Sequence, residues 1–324
     1  MKTIPLFLMA LCALNLSAQY NYKNLEAKTE LSNEQLKTYT YENLRIYPIN
    51  ARESFLSANK NIGRYTPLNE ALQKQKVKIT ETSAGSDSRQ ASPTVNTLYI
   101  QNLSGDTVYL MGGEVVKGGN QDRVIAQDMI LPPKGKKINL DVYCVEHGRW
   151  TYNSPTDSNT FNSTYSVTST SVRKAAQVEN DQSKVWDKVE EVTTKNNSQT
   201  QTGTYTALSK SKDYSDKLNK YVSFFKTQLS KENNVIGFVA VSGDKVIGCD
   251  MFATGAMFKQ QEDNLLRSYS TEVITNGSAV KLSNGQVKAY LDKLLLNEAA
   301  RPETLEKQGK EFKEGDKTMH IAVY

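Results

Sequence analysis

The sequence predicts an α+β fold: an antiparallel β-rich N-terminal lobe, sandwich-like, packed with a C-terminal lobe of amphipathic helices and a small sheet. Three observations carry the prediction. Short apolar runs bounded by turn residues crowd residues 77–145, the pattern of antiparallel strands. From Ser171 the apolar spacing changes to threes and fours, the period of helices. Near the end, Ser242-Gly243-Asp244 separates two apolar runs as a hairpin turn would.

Residues 1–18 carry one positive charge, Lys2, then an apolar run and Leu16-Ser17-Ala18, the grammar of a cleaved export signal. A polar lead over residues 19–64 contains one strand, 44–49. Pro67 stands before a short helix over 68–72, where its fixed φ suits a first turn. Strands follow at 77–80, 97–101, 107–111, 124–131 and 137–145, within a β-rich lobe assigned to 65–152. A Ser/Gly/Asp loop spans 83–92, and a Ser/Thr/Asn-rich loop spans 153–170. The remainder, 171–324, forms an α+β lobe. In it Val178, Gln182, Val185, Val189 and Val192 share one helix face, and Leu218, Tyr221, Val222 and Phe225 share another over 213–229. The hairpin strands are 235–241 and 245–252, two helices lie near 257–269 and 286–296, and a last strand runs 319–324.

Composition narrows the function classes. The net charge is +5, with both signs interspersed, so nucleic-acid binding is not indicated. Past residue 18 nothing approaches the roughly 20 consecutive apolar residues of a membrane helix, so the chain is expected in the periplasm or outside the cell without a transmembrane anchor. Cys144 and Cys249 are the cysteines left after export, enough for one disulfide and no disulfide framework. Neither a cofactor nor an oligomeric state follows from the residues.

The chemistry concentrates between Gly112 and Trp150. Alternation along 138–147 puts Glu146 on the apolar face of its strand, where a carboxylate must be paired, hydrogen-bonded or protonated. Arg123 and Arg149 are the cations at hand. Their planar forks suit Glu146, and they equally suit a ligand carboxylate or phosphate. An apolar surround would raise the Glu146 pKa toward the range of a general acid or base. Glu114 follows Gly112-Gly113, which permit tight turns and close approach by a ligand. Gln121, Trp150 and the helix-borne Gln182 complete the candidate ligand set, with Glu146 the candidate catalytic group and Trp186 one turn from Gln182. A metal is not indicated, since Glu146 and His147 point to opposite faces, and the Gly-x-x-x-x-Gly-Lys phosphate loop is missing.

Gly113-Glu114, Gln121-Asp122-Arg123 and the run Cys144-Val145-Glu146-His147-Gly148-Arg149-Trp150 resemble the "ARG and Rhodanese-Phosphatase-superfamily-associated Protein" domain. The likeness extends to residues 68–72, Gln182 with Val185-Trp186, Gly237-Phe238 and Met319-His320-Ile321, covering most of 65–324. Val115 and Asp122 depart from it, standing where the family tends to have a second glutamate and an asparagine. The resemblance implies a domain found in the company of ADP-ribosylglycohydrolase-like and phosphatase-like proteins. It carries no established activity and makes a phosphate-bearing or ADP-ribose-like small ligand the expectation, while hydrolysis through Glu146 is expected from the residues themselves. The contrasting expectation is a non-enzymatic envelope protein that binds a protein or glycan and uses the motif as a structural lock.

Overall fold

The computed structural model describes residues 19–82, 95–149, 160–296 and 301–324. The fold is α+β with antiparallel sheets. A seven-stranded sheet runs in the order Leu25–Ala27, Leu44–Ala51, Val235–Ser242, Lys245–Phe252, Lys317–Val323 and Gly309–Glu314, with Thr40–Tyr41 added to Leu44–Ala51. Every residue of Val235–Ser242 is buried, which explains its unbroken apolar run: the strand is covered on both faces. Phe238 and Phe252 pack toward the helices Lys212–Leu229 and Gly255–Asn276. On the other face Ile236, Val239 and Met251 meet Phe55, Val287, Leu291 and Leu305, from the helices Glu53–Asn59, Asn284–Leu295 and Arg301–Gln308.

A six-stranded sheet orders Phe161–Val167, Glu114–Gly118, Arg123–Ile125, Ile138–Cys144, Thr97–Asn102 and Val77–Glu81. Its inner face, with Ile79, Ile100, Val116, Ile125 and Leu140, packs against Leu68 and Ala71 of the helix Leu68–Gln73. A third sheet joins Met129–Leu131, Val108–Leu110 and Thr66–Pro67. The largest core cluster draws on all three layers: Tyr109 and Val124 from the smaller sheets, Val185, Val189 and Val192 from the helix Gln182–Lys195, and Leu44 and Ile46 from the seven-stranded sheet.

Several expectations change. The polar lead is built into the seven-stranded sheet, and its strand reaches Ala51. The run read as one strand over 124–131 is two strands in different sheets, separated by a turn that contains Asp128. Within the stretch read as a loop over 153–170, Phe161–Val167 is an edge strand. It has one strand neighbour and a register shift between Ser163 and Val167. The helix face begun at Val178 is interrupted. Thr170–Lys174 passes into a π-helical turn, Ala175–Glu179, and Asn180 turns left-handed at φ 50°. Asp181 then caps a new helix by accepting from the amides of Ser183 and Lys184. Val178 is therefore out of line with the buried Val185, Val189 and Val192. The segments 1–18 and 83–92, and the first part of the 153–170 stretch, lie outside the described residues.

The two central strands approach closely at Gly237, where an added Cβ would sit 2.0 Å from the Asp250 carbonyl oxygen. Gly237→Ala is expected to cost about 2 kcal/mol or more in denaturant unfolding, whereas Gly105→Ala, which meets nothing within 4 Å, stays within about 0.5 kcal/mol.

Candidate functional site

The strand Ile138–Cys144 ends beside Arg123, its register partner at Cys144. Gln182 grips that end: its carbonyl accepts from the Cys144 amide at 2.8 Å and its amide donates to the Cys144 carbonyl at 2.9 Å. Beyond it the chain follows the segment 202–205, with Gly148 N–H to the Thr202 carbonyl at 2.8 Å and Tyr205 N–H to the Val145 carbonyl at 2.9 Å. An added Cβ on Gly148 would lie 3.0 Å from the Gln201 carbonyl oxygen, so a larger residue would push these segments apart.

Glu146 is buried, but in the loop after the strand and not on its apolar face. Arg149 reaches it at 2.7 Å and also contacts Asp122 at 3.1 Å. The same guanidinium donates to the carbonyls of Gly119 at 2.8 Å and Gly118 at 3.3 Å. Asp122, 1% exposed, accepts in addition from the hydroxyls of Thr204 and Thr206 at 2.8 and 2.9 Å. Burial alone would raise the Glu146 pKa, yet hydrogen bonds from Arg149, the Asp122 amide and Thr202 outweigh it and hold the carboxylate below its ordinary value. The raised pKa expected from an apolar surround is thereby corrected.

Arg123 is 0% exposed and lies one layer deeper. Its Nη1 donates to the Gln121 carbonyl at 2.7 Å, and its Nη2 stands 3.8 Å from Glu81. The Gln121 side chain donates to the His147 carbonyl at 3.2 Å. Trp150 lies outside the described residues. Cys144 and Cys249 are buried free thiols, and burial pushes Cys144 up to about 11.

Glu114 belongs to a second cluster, which sequence reading missed. Arg173 forms a two-pronged pair with Asp250, at 2.7 and 3.1 Å. Asp250 contacts His320 Nε2 at 3.0 Å, and His320 Nδ1 contacts Asp128 at 2.6 Å. Tyr269 donates to Asp250 and Tyr109 to Asp128, at 2.5 and 2.6 Å. The Gly112 amide donates to Asp128 at 2.7 Å. Arg173, Asp250, His320, Tyr109 and Tyr269 are buried, the Asp128 side chain is 5% exposed, and His320 stacks on Phe252, its cross-strand partner, at 4.1 Å between centroids. Burial opposes the charge on His320, but the two aspartates win and raise its pKa to about 9. Burial would also raise Asp250, which Arg173 and His320 instead hold far below the usual carboxylate range. Glu114 has no such cation. Burial first, then the Asp128 charge, raises its pKa to about 8, against the Met111 amide that donates to it at 2.8 Å. The available signal was a charge inside an apolar strand: Asp250 and His320 carry it as plainly as Glu146.

Two hollows flank the Glu146–Arg149 turn. One, of about 310 Å³, is lined by Glu146, Arg149, Asp122, Lys117, Lys210 and threonines of the 200–206 segment. The other, of about 500 Å³, lies between His147, Trp186, Thr193, Thr194 and residues 199–203. The Trp186 indole meets His147 edge-on at 4.5 Å, and its N–H is buried without a protein partner. Among the described residues no group of His, Cys, Asp and Glu is arranged to hold a metal ion, and no helix is long and apolar enough to cross a membrane.

The sequence model of the ARG and Rhodanese-Phosphatase-superfamily-associated Protein domain matches residues 33–321. The chain belongs to this family. Comparison with curated proteins and with solved structures found no match. The ARG and Rhodanese-Phosphatase-superfamily-associated Protein domain thus spans both site clusters and nearly all of the seven-stranded sheet, including strands from the polar lead.

The buried titrating groups set a pH profile for this domain. Folded Glu114 and His320 keep their protons to about 8 and 9, whereas the unfolded chain releases them near 4.5 and 6.5. Between each pair of values the native state binds more protons, so stability falls as pH rises. Asp128 and Asp250 are held low, so their contribution is lost as pH falls below the ordinary aspartate range. Thermal unfolding is expected to be most resistant in mildly acidic buffer and to weaken steadily from pH 6 to pH 9.5. Glu114→Gln is expected to flatten the part of that decline below pH 8; an unchanged profile in this variant would count against a neutral Glu114.

Proposed function

We propose that this is an exported binding protein in which the Cys144–Arg149 motif is a structural lock and the partner is a neutral, hydroxyl-rich glycan. The observation that carries the reading is the commitment of Arg149, whose donors go to Glu146, Asp122 and two backbone carbonyls. With Arg123 sealed from solvent, neither arginine is free for a phosphate-bearing or ADP-ribose-like ligand. Glu146, held ionised by these contacts, has no proton to donate as a general acid near neutrality.

The lock shapes the neighbouring 500 Å³ cleft by fixing His147 and Gly148 against the 199–203 turn. That cleft offers an aromatic ring at Trp186, threonine hydroxyls, the amides of Gln199 and Gln201, and the carboxylates of Asp187 and Glu190. Among the described residues that line it there is no lysine or arginine. A ring to contact sugar carbons and neutral or acidic groups to receive hydroxyls suit a carbohydrate better than an anion. Export, from the signal-like residues 1–18, would bring the protein to envelope glycans.

Thermal shift against chitin and cellulose oligosaccharides, with ADP-ribose and inorganic phosphate as rivals, tests the reading. A neutral oligosaccharide at a hundred times its dissociation constant should add about 2.7 kcal/mol, and Trp186→Ala should remove the gain. Arg149→Lys should cost about 3 kcal/mol of stability by stranding the buried Glu146 and Asp122, and Glu146→Gln should cost less, since Arg149 is partly exposed and keeps Asp122 and two carbonyls. ADP-ribose binding that depends on Arg149 in an otherwise stable variant would overturn the proposal.

A further inference from the structure

A third cavity lies away from both clusters. It occupies about 420 Å³ between the helices Lys212–Leu229 and Gly255–Asn276, the 3₁₀ segment Tyr205–Lys210 and the edge strand Phe161–Val167. Its floor is apolar. Val167, Leu208 and Leu218 are buried there, beside the rings of Tyr205 and Tyr214. The polar atoms of that floor are already engaged: the Tyr214 hydroxyl with Thr271 at 2.6 Å, the Thr271 hydroxyl with the Arg267 carbonyl at 2.7 Å, and the Tyr205 hydroxyl with the Ser169 amide at 2.8 Å. A ligand reaching this floor meets methyl groups and ring faces, with Thr, Ser and Asn side chains around it.

Its mouth is different. Asp263 is shared between two cations, taking Lys226 at 2.9 Å on one oxygen and Arg267 Nε at 2.6 Å on the other. One carboxylate against two cations leaves a surplus positive charge. Nε of Arg267 makes the hydrogen bond to Asp263, and its terminal nitrogens make no hydrogen bond within the described residues. The Arg267 side chain is 30% exposed and lines the cavity, so water there can be exchanged for a ligand. A partly open volume in the ligand-pocket range, with an apolar floor and one convergent cation at its rim, is the arrangement of a small-molecule site.

We propose that this cavity binds a small amphipathic carboxylic acid, its apolar body against Val167, Leu208 and Leu218 and its carboxylate on the free edge of Arg267. A carboxylate there completes the two-donor fork that Asp263 uses on one side only. The site is independent of the glycan cleft and shares none of its lining residues.

Titration calorimetry with octanoate and with octanamide, its uncharged counterpart of the same length, tests the proposal on the full-length mature protein. Octanoate should bind saturably at one equivalent, and octanamide at least tenfold more weakly. Arg267→Gln should reduce octanoate to the octanamide level while leaving octanamide unchanged. Ser215→Trp, which fills the mouth from an accessible position, should abolish both. Equal binding of the two probes, octanoate affinity indifferent to Arg267→Gln, or no saturable octanoate binding would each overturn it. Should Arg267→Gln fail to fold, the ratio of the two probes on the wild type and the Ser215→Trp variant decide.

Discussion

Four ionised side chains alternate in sign through the water-poor centre of this protein: Arg173, Asp250, His320 and Asp128. Burying any one of them alone would cost several kcal/mol after relaxation. Each is therefore tolerable only because its neighbour of opposite charge is held in place by a different part of the chain. Asp250 and His320 come from adjacent strands of the seven-stranded sheet. Arg173 comes from the helix that leads into the π turn, and Asp128 from the turn that divides the other two sheets. The chain of charges requires all four elements to meet in one register. Tyr109 and Tyr269 extend it by donating to Asp128 and Asp250.

This constraint gives the glycines at 112 and 113 a meaning other than ligand approach. A Cβ on Gly113, which has φ +96°, would lie 2.7 Å from the Arg173 side chain, and one on Gly112 would lie 2.7 Å from that of Gln177. The backbone is bare there so that Arg173 and Gln177 can pass, and the Gly112 amide is free to bind Asp128. Glu114 follows directly and lacks a cation, which is why it stays neutral beside a carboxylate. The Arg149 lock obeys the same physics nearer the surface, where one guanidinium gathers two carboxylates and two carbonyls and so determines how the 144–149 turn meets the threonine-rich segment.

Much of this was legible in the sequence. Strand alternation located Ile138–Cys144, the hairpin around Gly243 appeared at its turn, and the buried row Leu218, Tyr221, Val222 and Phe225 followed from helical spacing. Glu146 is buried and paired with Arg149, one of the two arginines the sequence offered, although it lies in the loop and not on the strand face from which that expectation was drawn. Pairings between distant segments were not legible. Leu25–Ala27 is a three-residue edge strand, too short for a pattern, and Leu44–Ala51 gives no hint that its neighbour is Val235–Ser242. The break at Asn180 was hidden because the valines on either side keep a helical spacing through it. Asp250 and His320 were visible as charges inside apolar strands, but their partners, Arg173 and Asp128, lie on other elements, and only the fold brings them together.

The most direct test of the buried charge chain is the protonation of His320, read by nitrogen-detected NMR of the imidazole side chains, with His147→Gln to leave a single histidine. The account predicts protons on both ring nitrogens at pH 7.5 and a titration midpoint near 9. A neutral imidazole at pH 7.5, titrating near the ordinary 6.5, would contradict it.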